Sequence, residues 1–467
     1  MRYRIEKDQL GERQVPAEAY YGIETLRGKE NFEITKRGIY RQLIKALAIV
    51  KKSAAKANVD AGNIDEKIGK AIVLACDEIL NGRLHGQFVT DLIQGGGGIS
   101  INMNANEVIA NRANELLGGR KGTYEFVHPK DHVEFSQSTN DVIPTAGKIA
   151  IIKQLKKLSV ELKKLINSLS DKAKEFKDIT KIGRTHLQDA LPIKLGQEFA
   201  AYANGLTREL KRIDLAIDYL CEVNLGGSVI GTSLNANEKY RKKVIFYLGK
   251  FSGESLKPAK DLIDSTRNLD SFGYASNTLK LLSLNLSRIA KDLCLMSSNS
   301  INEIILPDMQ AGSSIMPGKI NPVVPEMVIQ VCYYVVGLDT TISMAVEDGQ
   351  LELNVNTPVI LMSLYEQITT LRRAIRTFNT LTISNLKATN IHSINKENSI
   401  YLITALTPHI GHNEALCIVN ETMHSSKTIK EIILEKNLLS EVHIDHILED
   451  SNLTNSGIML EELLKNK

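Results

Sequence analysis

The chain has 467 residues, 43% of them hydrophobic, which is enough to bury a large core and to build two or three domains. Its 57 Lys and Arg against 54 Asp and Glu leave a net charge of +3, too balanced for a nucleic-acid-binding protein. No signal-peptide core opens the sequence, and no uninterrupted apolar run is long enough to cross a bilayer. We therefore expect a soluble cytoplasmic protein with no nucleic-acid or membrane partner.

Four consecutive glycines, Gly95–Gly98, lie in the N-terminal third. No Lys-Ser/Thr pair follows them, so they favour a close backbone approach over a phosphate-binding loop. Glu107 is expected on a helix near the pocket. His128, Asp131 and His132 resemble a metal cluster, but without further ligands a surface turn is the preferred interpretation.

Long helices dominate the middle of the sequence. Apolar residues recur three or four apart from Ile151 to Leu169 and again from Leu279 to Met296, with polar residues between them. Strand-like alternation is scarce and is expected only near the N-terminus and in short connections. The five cysteines are odd in number and lack metal-ligand spacing, so we expect reduced core thiols; they are Cys76, Cys221, Cys294, Cys332 and Cys417.

The segment from Gly312 to Pro322 reads Gly-Ser-Ser-Ile-Met-Pro-Gly-Lys-Ile-Asn-Pro. It places two hydroxyls, an ammonium and a carboxamide within ten residues, and its glycines and prolines disfavour a regular helix or strand. The pattern favours a loop that presents polar groups to a bound anion, although a solvated turn has a similar composition.

This segment resembles the signature loop of the aspartase/fumarase superfamily of lyases. Other segments resemble the family in the expected order: Val15–Arg27, Asn102–Glu107, Ser136–Asp141, Gly183–Asp189 and Asn321–Glu326. The resemblance implies an all-α fold, in which a central bundle of long helices (138–390) lies between a small N-terminal domain (1–137) and a small C-terminal helical domain (391–467). It also implies a homotetramer with active sites shared between subunits.

The chemistry that the resemblance implies is a 1,2-elimination from a small amino acid. A base removes a proton from one carbon, the amine leaves from its neighbour, and an adjacent carboxylate accepts the charge of the carbanion, without cofactor or metal. The catalytic residues implied are Ser313 as the base, His186 and Lys319. The substrate-binding residues implied are Ile99, Ser138, Thr139, Asn140, Thr185, Ser314, Met316, Asn321 and Lys387. Ser138–Asn140 also have the residue types of a helix N-cap.

Ile99 departs from the family pattern, in which a threonine hydroxyl helps to hold the β-carboxylate and the leaving ammonium. An aliphatic side chain offers neither hydrogen bond. It would suit a quaternary ammonium, as in ergothionase, a relative that releases trimethylamine from ergothioneine and leaves thiourocanate. Lys387 would then be the candidate to polarise the substrate's ring.

Two further departures are the absence of a Gly-Pro-Arg segment around Ser297–Glu303 and the pair Asn356 and Thr357. The functions left open are ammonia elimination from L-aspartate, an ergothionase, a fumarase-type hydro-lyase and a non-catalytic structural member. The segment Val323–Glu326 disfavours the hydro-lyase. The intact Ser313 and Lys319 disfavour the structural member.

Overall fold

The computed structural model of the chain describes residues 2–389 and 400–466. Most of them are helical, which confirms the predicted all-α class. The described helices are α1 (Ile23–Asn31), α2 (Arg41–Ala61), α3 (Glu66–Leu80), α4 (Ile99–Leu116), α5 (Thr139–Glu175), α6 (Leu195–Leu220), α7 (Glu238–Ser252), α8 (Leu262–Arg267), α9 (Asp270–Met296), α10 (Val323–Glu347), α11 (Thr357–Phe378), α12 (Ile403–Ile410), α13 (His412–His424), α14 (Ile429–Glu435), α15 (Glu441–Ile447) and α16 (Asp450–Leu453).

Strands are short and occur in pairs, as the scarce alternation predicted. The antiparallel pairs are β1 (Tyr3–Asp8) with β2 (Gly11–Pro16) and β3 (Thr180–Thr185) with β4 (Gln188–Lys194). Next, β5 (Glu222–Val223) and β6 (Lys257–Pro258) pair in parallel, and β7 (Ile304–Ile305) pairs antiparallel with β8 (Lys387–Ala388).

Contacts between residues group the chain into two compact units. Unit 1 consists of Met1–Glu161, Glu209–Leu284 and Val331–Arg373, and unit 2 consists of Leu162–Arg208, Asn285–Gln330 and Ala374–Lys467. The three-domain division stays a prediction, and its boundary at residues 390 and 391 lies outside the described residues.

The long helices bury the apolar stripes that the sequence pattern predicted. In α5 the stripe is fully buried over about four turns, and its members are Leu155, Leu158, Leu162, Leu165 and Leu169. Helix α9 does the same with Leu279, Leu282, Leu286 and Leu293. Each leucine buried in this way contributes about 2 kcal/mol of transfer free energy, so these stripes are a main source of stability.

Helix α10 is unusually apolar. By length and composition it could cross a membrane, and 28% of its most apolar 18-residue stretch is buried within the chain. It also carries Asp339, which is buried and accepts hydrogen bonds from Ser276 Oγ at 2.6 Å and Lys280 Nζ at 2.7 Å. A buried ion pair at mid-helix is typical of a protein bundle, because lipid offers no such partner.

Candidate active site

The glycine run opens helix α4 with a left-handed backbone. Gly96, Gly97 and Gly98 have φ of 75°, 65° and 97°, a region in which other residues are strained. A Cβ on Gly98 would approach the Ile143 side chain of α5 to 3.2 Å. The predicted close approach of the backbone is therefore confirmed, and it sets the start of α4 beside the first turns of α5.

Ile99 is the first residue of α4, and its side chain is 43% exposed. Gly98 gives the helix no side-chain cap, and its first turn has no acidic residue. The N–H groups of a helix start carry partial positive charge and bind anions well. Here, however, the Ile99 N–H donates to the Gly96 carbonyl, and the Ile101 N–H donates to Gln94 Oε1 at 3.2 Å, so two of the first three N–H groups already have acceptors.

Ser138 caps helix α5, as the residue types predicted. Its Oγ accepts a hydrogen bond from the Asn140 N–H at 3.2 Å, and its carbonyl accepts from the Val142 N–H at 3.0 Å. Asp141 completes the turn, since its Oδ1 accepts from the Ser138 N–H at 2.9 Å. Ser138 and Asn140 are half-buried, so the cap remains open to a small ligand.

Asn140 is held by the loop that follows β5. Its Nδ2 donates to the Val229 carbonyl at 2.8 Å, and its own carbonyl accepts from Asn224 Nδ2 at 3.0 Å. That carbonyl needs a donor from outside the helix because Pro144, four residues later, has no N–H.

Asp141 also connects the same loop to α5 through hydrogen bonds. Its Oδ2 accepts from the N–H groups of Gly226 and Ser228, each at 3.0 Å. Burial raises the pKa of Asp141 to about 7, against the backbone hydrogen bonds, which lower it. Asp141 belongs to the Ser136–Asp141 motif, but the sequence does not predict its role. The residues around it give no indication of a contact with a loop 85 residues away.

Thr139 is buried and accepts a hydrogen bond from Asn102 Nδ2 of α4 at 2.9 Å. Asn102 also donates to Glu134, whose other oxygen forms an ion pair of 2.5 Å with the fully buried Lys51. Helices α2, α4 and α5 thus meet at one polar network. The sequence prediction missed Glu134 and Lys51, because a lysine on α2 is read as a surface residue until its depth is known.

Glu107 lies on helix α4, as expected, while its place near the substrate pocket stays a prediction. It is buried, and its carboxylate accepts from the N–H groups of Gly22, Glu24 and Thr25 and from Thr25 Oγ1, over 2.5–3.1 Å. It therefore caps the start of helix α1. Burial raises the pKa of Glu107 to about 7, and the bond from Thr25 lowers it.

The signature loop of unit 2 presents Ser313 in an unusual setting. Its Oγ accepts hydrogen bonds from the backbone N–H groups of Met316, at 2.9 Å, and Ile315, at 3.2 Å. Two amide donors aimed at one hydroxyl oxygen favour its negative form. The local cause is a turn within the loop, since the following residues fold back over the serine.

The base of this loop is closed by hydrogen bonds across it. Gly312 N–H donates to the Lys319 carbonyl at 2.7 Å, and Asn321 Nδ2 donates to the Gly312 carbonyl at 2.9 Å. A Cβ on Gly312 would lie 2.7 Å from the Lys319 carbonyl oxygen, so glycine is required there. Ser314, Met316 and Lys319 are exposed beyond this closed base.

Thr185 and His186 lie at the tip of the β3–β4 hairpin. Thr185 pairs with Gln188, which leaves His186 and Leu187 as a two-residue turn. Both have positive φ, 55° and 61°, as a type I′ turn requires, although neither is glycine or asparagine. Non-glycine residues in this region are strained, and such strain often marks functional sites.

Lys387 is an exposed residue of β8 and pairs with Ile305. The predicted residues therefore lie in separate parts of the chain: Ile99 and Ser138–Asn140 belong to unit 1, and the hairpin tip, the signature loop and Lys387 belong to unit 2. Within the described residues, 2–389 and 400–466, no hydrogen bond joins the signature loop to the hairpin tip.

His128, Asp131 and His132 form a turn, as predicted, and no metal-binding cluster occurs among the described residues. His128 Nδ1 lies 3.0 Å from Asp131 Oδ2, and His132 Nδ1 accepts from the His128 N–H. Burial lowers the pKa of His132. The cysteines are free thiols, but Cys417 is exposed and so is not the core residue expected.

The family model described as "Lyase" matches residues 11–337, and the model "Fumarase C C-terminus" matches residues 402–455. The chain belongs to the aspartase/fumarase superfamily. The resemblance drawn from the signature loop is thereby confirmed.

The superfamily members most informative about chemistry are bacterial. The chain is 46% identical to an aspartate ammonia-lyase of Bacillus subtilis, over 99% of this chain and 98% of that protein. It is 45% identical to one of Helicobacter pylori, over 96% and 97%. It is 44% identical to one of Escherichia coli, over 96% of each.

Solved structures of the superfamily share the fold. A fumarate lyase:delta crystallin from Brucella melitensis, bound to cobalt, has a TM-score of 0.93 and 42% identity, covering 97% of this chain and 100% of that one. A class II fumarase from Schistosoma mansoni has a TM-score of 0.92 and 34% identity, covering 96% and 98%.

Proposed function

We propose that this carbon–nitrogen lyase is an aspartate ammonia-lyase, which converts L-aspartate to fumarate and ammonia. The relatives that are 44–46% identical to this chain are named aspartate ammonia-lyase, and the similarity covers nearly their whole length. This supports L-aspartate as the substrate. The observation that carries the chemistry is the pair of backbone N–H groups on Ser313 Oγ.

Ser313 is the general base. A serine hydroxyl is far too weak an acid to ionise near neutral pH in water, so its surroundings must stabilise the alkoxide. The amide groups of Ile315 and Met316 supply that stabilisation from fixed positions. Removing one such donor in other enzymes costs about 100-fold or more in rate.

Electron flow follows from the position of the base. The alkoxide takes a proton from the β-carbon of aspartate, the electron pair moves into the β-carboxylate as an enediolate, and ammonia then leaves from the α-carbon. The developing charge needs donors already in place. Ser138, Thr139 and Asn140, at the start of helix α5, and Ser314 supply hydroxyls and an amide of the required kind.

The remaining residues bind and orient the substrate. Lys319 and Asn321 neutralise and align the α-carboxylate, while Thr185 and His186 complete the pocket. Met316 contributes through its N–H to Ser313. Lys387 has no role in this scheme, because aspartate has no ring for it to polarise.

Ile99 is compatible with aspartate if the backbone replaces the lost hydroxyl. At the start of α4 the Ile99 N–H donates to the Gly96 carbonyl and the Ile101 N–H donates to Gln94 Oε1, so the Ser100 N–H is the backbone donor that we propose for the β-carboxylate. The isoleucine side chain then forms only the wall of the pocket.

An ergothionase is the second candidate, and Ile99 is the observation that favours it. An apolar wall suits a trimethylammonium group, which has no N–H to donate. The relatives above favour aspartate, and the two candidates differ in their products.

The functional unit that we propose is a cytoplasmic homotetramer with shared sites. The support is the exposure of residues that should be enclosed: Leu187 is 70% exposed, Ile315 85% and Met344 69%. Water at the signature loop would protonate the alkoxide, so another subunit must cover the loop.

Replacing Ser313 with alanine tests the assignment of the base. Turnover should fall by at least about 1,000-fold, because the group that accepts the proton is lost. Circular dichroism and oligomer size should not change. Ser170→Ala is the matched control, since Ser170 Oγ only donates to the Ile166 carbonyl within α5. Activity of Ser313→Ala within 10-fold of the wild type would remove Ser313 from this role.

A further inference from the structure

We propose that Glu303 is a positioning residue, whose carboxylate fixes strand β3 and thereby holds Thr185 and His186 in the geometry that the elimination needs. The proposal rests on the function proposed above, because the roles of the two hairpin residues belong to it. Glu303 itself lies outside the loop and hairpin that carry the proposed chemistry.

The contacts of Glu303 all reach toward the hairpin. Its side chain is 5% exposed; Oε1 lies 2.5 Å from Arg184 Nη1, and Oε2 lies 2.6 Å from Lys181 Nζ. Both cations are on β3, three residues apart, and Arg184 directly precedes Thr185. One carboxylate therefore clamps the strand at two points next to the residues of the tip.

Glu303 is itself firmly anchored. Its N–H donates to the Met296 carbonyl at 2.8 Å, and its carbonyl accepts from the Thr389 N–H at 3.1 Å. The next residue begins β7, which pairs with β8. The backbone that carries this carboxylate is therefore held in place, so the ion pairs position the hairpin relative to Glu303.

The hairpin needs such a clamp. A two-stranded sheet is marginally stable by itself, and this one is interrupted by a bulge around Gly183 and ends in a strained turn. Strand β4 also lies against α16, and the ion pairs of Lys181 and Arg184 tie β3 to Glu303. A cavity of about 560 Å³ adjoins the hairpin and the end of α9, so an unclamped strand has space into which it can move.

Other carboxylates replace only part of this clamp. Lys181 has a second partner, Glu198, at 2.7 Å. Arg184 keeps only Asp189, at 3.2 Å, whose side chain is 55% exposed. Because exposed pairs are weak, loss of Glu303 should release the Arg184 end of the strand most.

The experiment compares Glu303→Gln with Glu175→Gln in the full-length oligomer. Glu175 is a matched control because it also pairs with a lysine of the same unit, Lys172, but its own side chain is 52% exposed. Amide hydrogen exchange is followed by mass spectrometry, with steady-state kinetics on L-aspartate. We expect faster exchange confined to residues 180–194, a kcat lower by about 10- to 100-fold and a smaller change in KM. Glu175→Gln should change neither.

Arg184→Gln breaks the same contact from the less buried side, and it replaces Glu303→Gln if that variant does not fold. Unchanged exchange over 180–194 with kcat within twofold of wild type would overturn the proposal. So would faster exchange across the whole chain, because that outcome indicates a general loss of stability. The exchange measurement needs no substrate, so a wrong assignment of aspartate would appear only in the kinetics of the wild type.

Discussion

Ile99 is the single side chain on which the proposed choice between aspartate and a trimethylammonium substrate depends. Its side chain offers no hydrogen bond where a family threonine offers a hydroxyl, and the N–H groups of Ile99 and Ile101 already donate to Gly96 and Gln94, so the Ser100 N–H is the backbone donor proposed in its place. The balance between these two effects decides how well aspartate is held. If the backbone serves the β-carboxylate, the leaving ammonium is the group that loses a partner.

The Ile99→Thr variant tests this account. The added hydroxyl should lower the KM for L-aspartate about 5- to 20-fold, since one hydrogen bond to a charged group contributes about 1–2 kcal/mol. Initial-rate kinetics on L-aspartate measure it, with Ile99→Val as the control that changes shape without adding a donor. An unchanged KM would mean that Ile99 does not face the substrate.

At the residue scale the sequence was informative where chemistry and local geometry coincide. Ser138 was predicted as a helix cap and is one, because capping depends only on residues next to it in sequence. The capping contacts of Glu107 could not be predicted, because its partners Gly22–Thr25 are more than 80 residues away in the sequence. The two amide donors on Ser313 could not be predicted, since they depend on the exact fold of the loop.

At the scale of elements, helix α1 depends on a carboxylate from α4. Burial places the pKa of Glu107 at about 7, above its ordinary 4.5. Between these values the folded state holds a proton that the unfolded state has lost, so the contribution of this group to stability falls as pH rises from about 4.5 to 7.

The Glu107→Gln variant makes this visible. It should be less stable than wild type, because the helix start loses an acceptor. The gap, defined as the difference in free energy of unfolding between wild type and variant, should shrink by up to about 3 kcal/mol between pH 5 and pH 8. Urea unfolding at fixed protein concentration gives the gap at each pH. The control is Glu18→Gln, the same substitution at a side chain that is 93% exposed. A gap for Glu107→Gln that grows with pH would contradict the sign argued here.

Elements with strong periodicity were predicted well. The apolar spacing from Ile151 to Leu169 lies within α5, and that from Leu279 to Met296 lies within α9. The hairpin of β3 and β4 was not predicted as such, because its turn uses His186 and Leu187 instead of the usual glycine or asparagine. A turn without its usual residues leaves no signal in the sequence.

At the scale of the whole molecule, the outstanding feature is apolar surface on α10. Tyr333 is 58% exposed and Met344 is 69% exposed on a helix whose hydropathy matches a membrane span. A face of this kind in one chain indicates a further partner. The resemblance predicts that the partner is another copy of the chain, and the sequence could not separate this case from burial within one chain.

Met344→Glu tests that partner. If the proposed tetramer uses this apolar face, placing a charge there should convert most of it to smaller species, because the charge would be buried without a partner. Sedimentation velocity measures the oligomer directly. Met423→Glu is the control, since Met423 is similarly exposed but lies on α13. A tetramer unaffected by Met344→Glu would exclude this face from the interface.

The most direct measurement is the identity of the products. The purified protein is incubated separately with L-aspartate and with ergothioneine, while fumarate, thiourocanate and the released amine are followed by absorbance and amine analysis. The account predicts fumarate and ammonia in equal amounts from L-aspartate, and no thiourocanate. Thiourocanate and trimethylamine from ergothioneine, with aspartate untouched, would contradict it and would identify the apolar wall at Ile99 as the determinant of substrate choice.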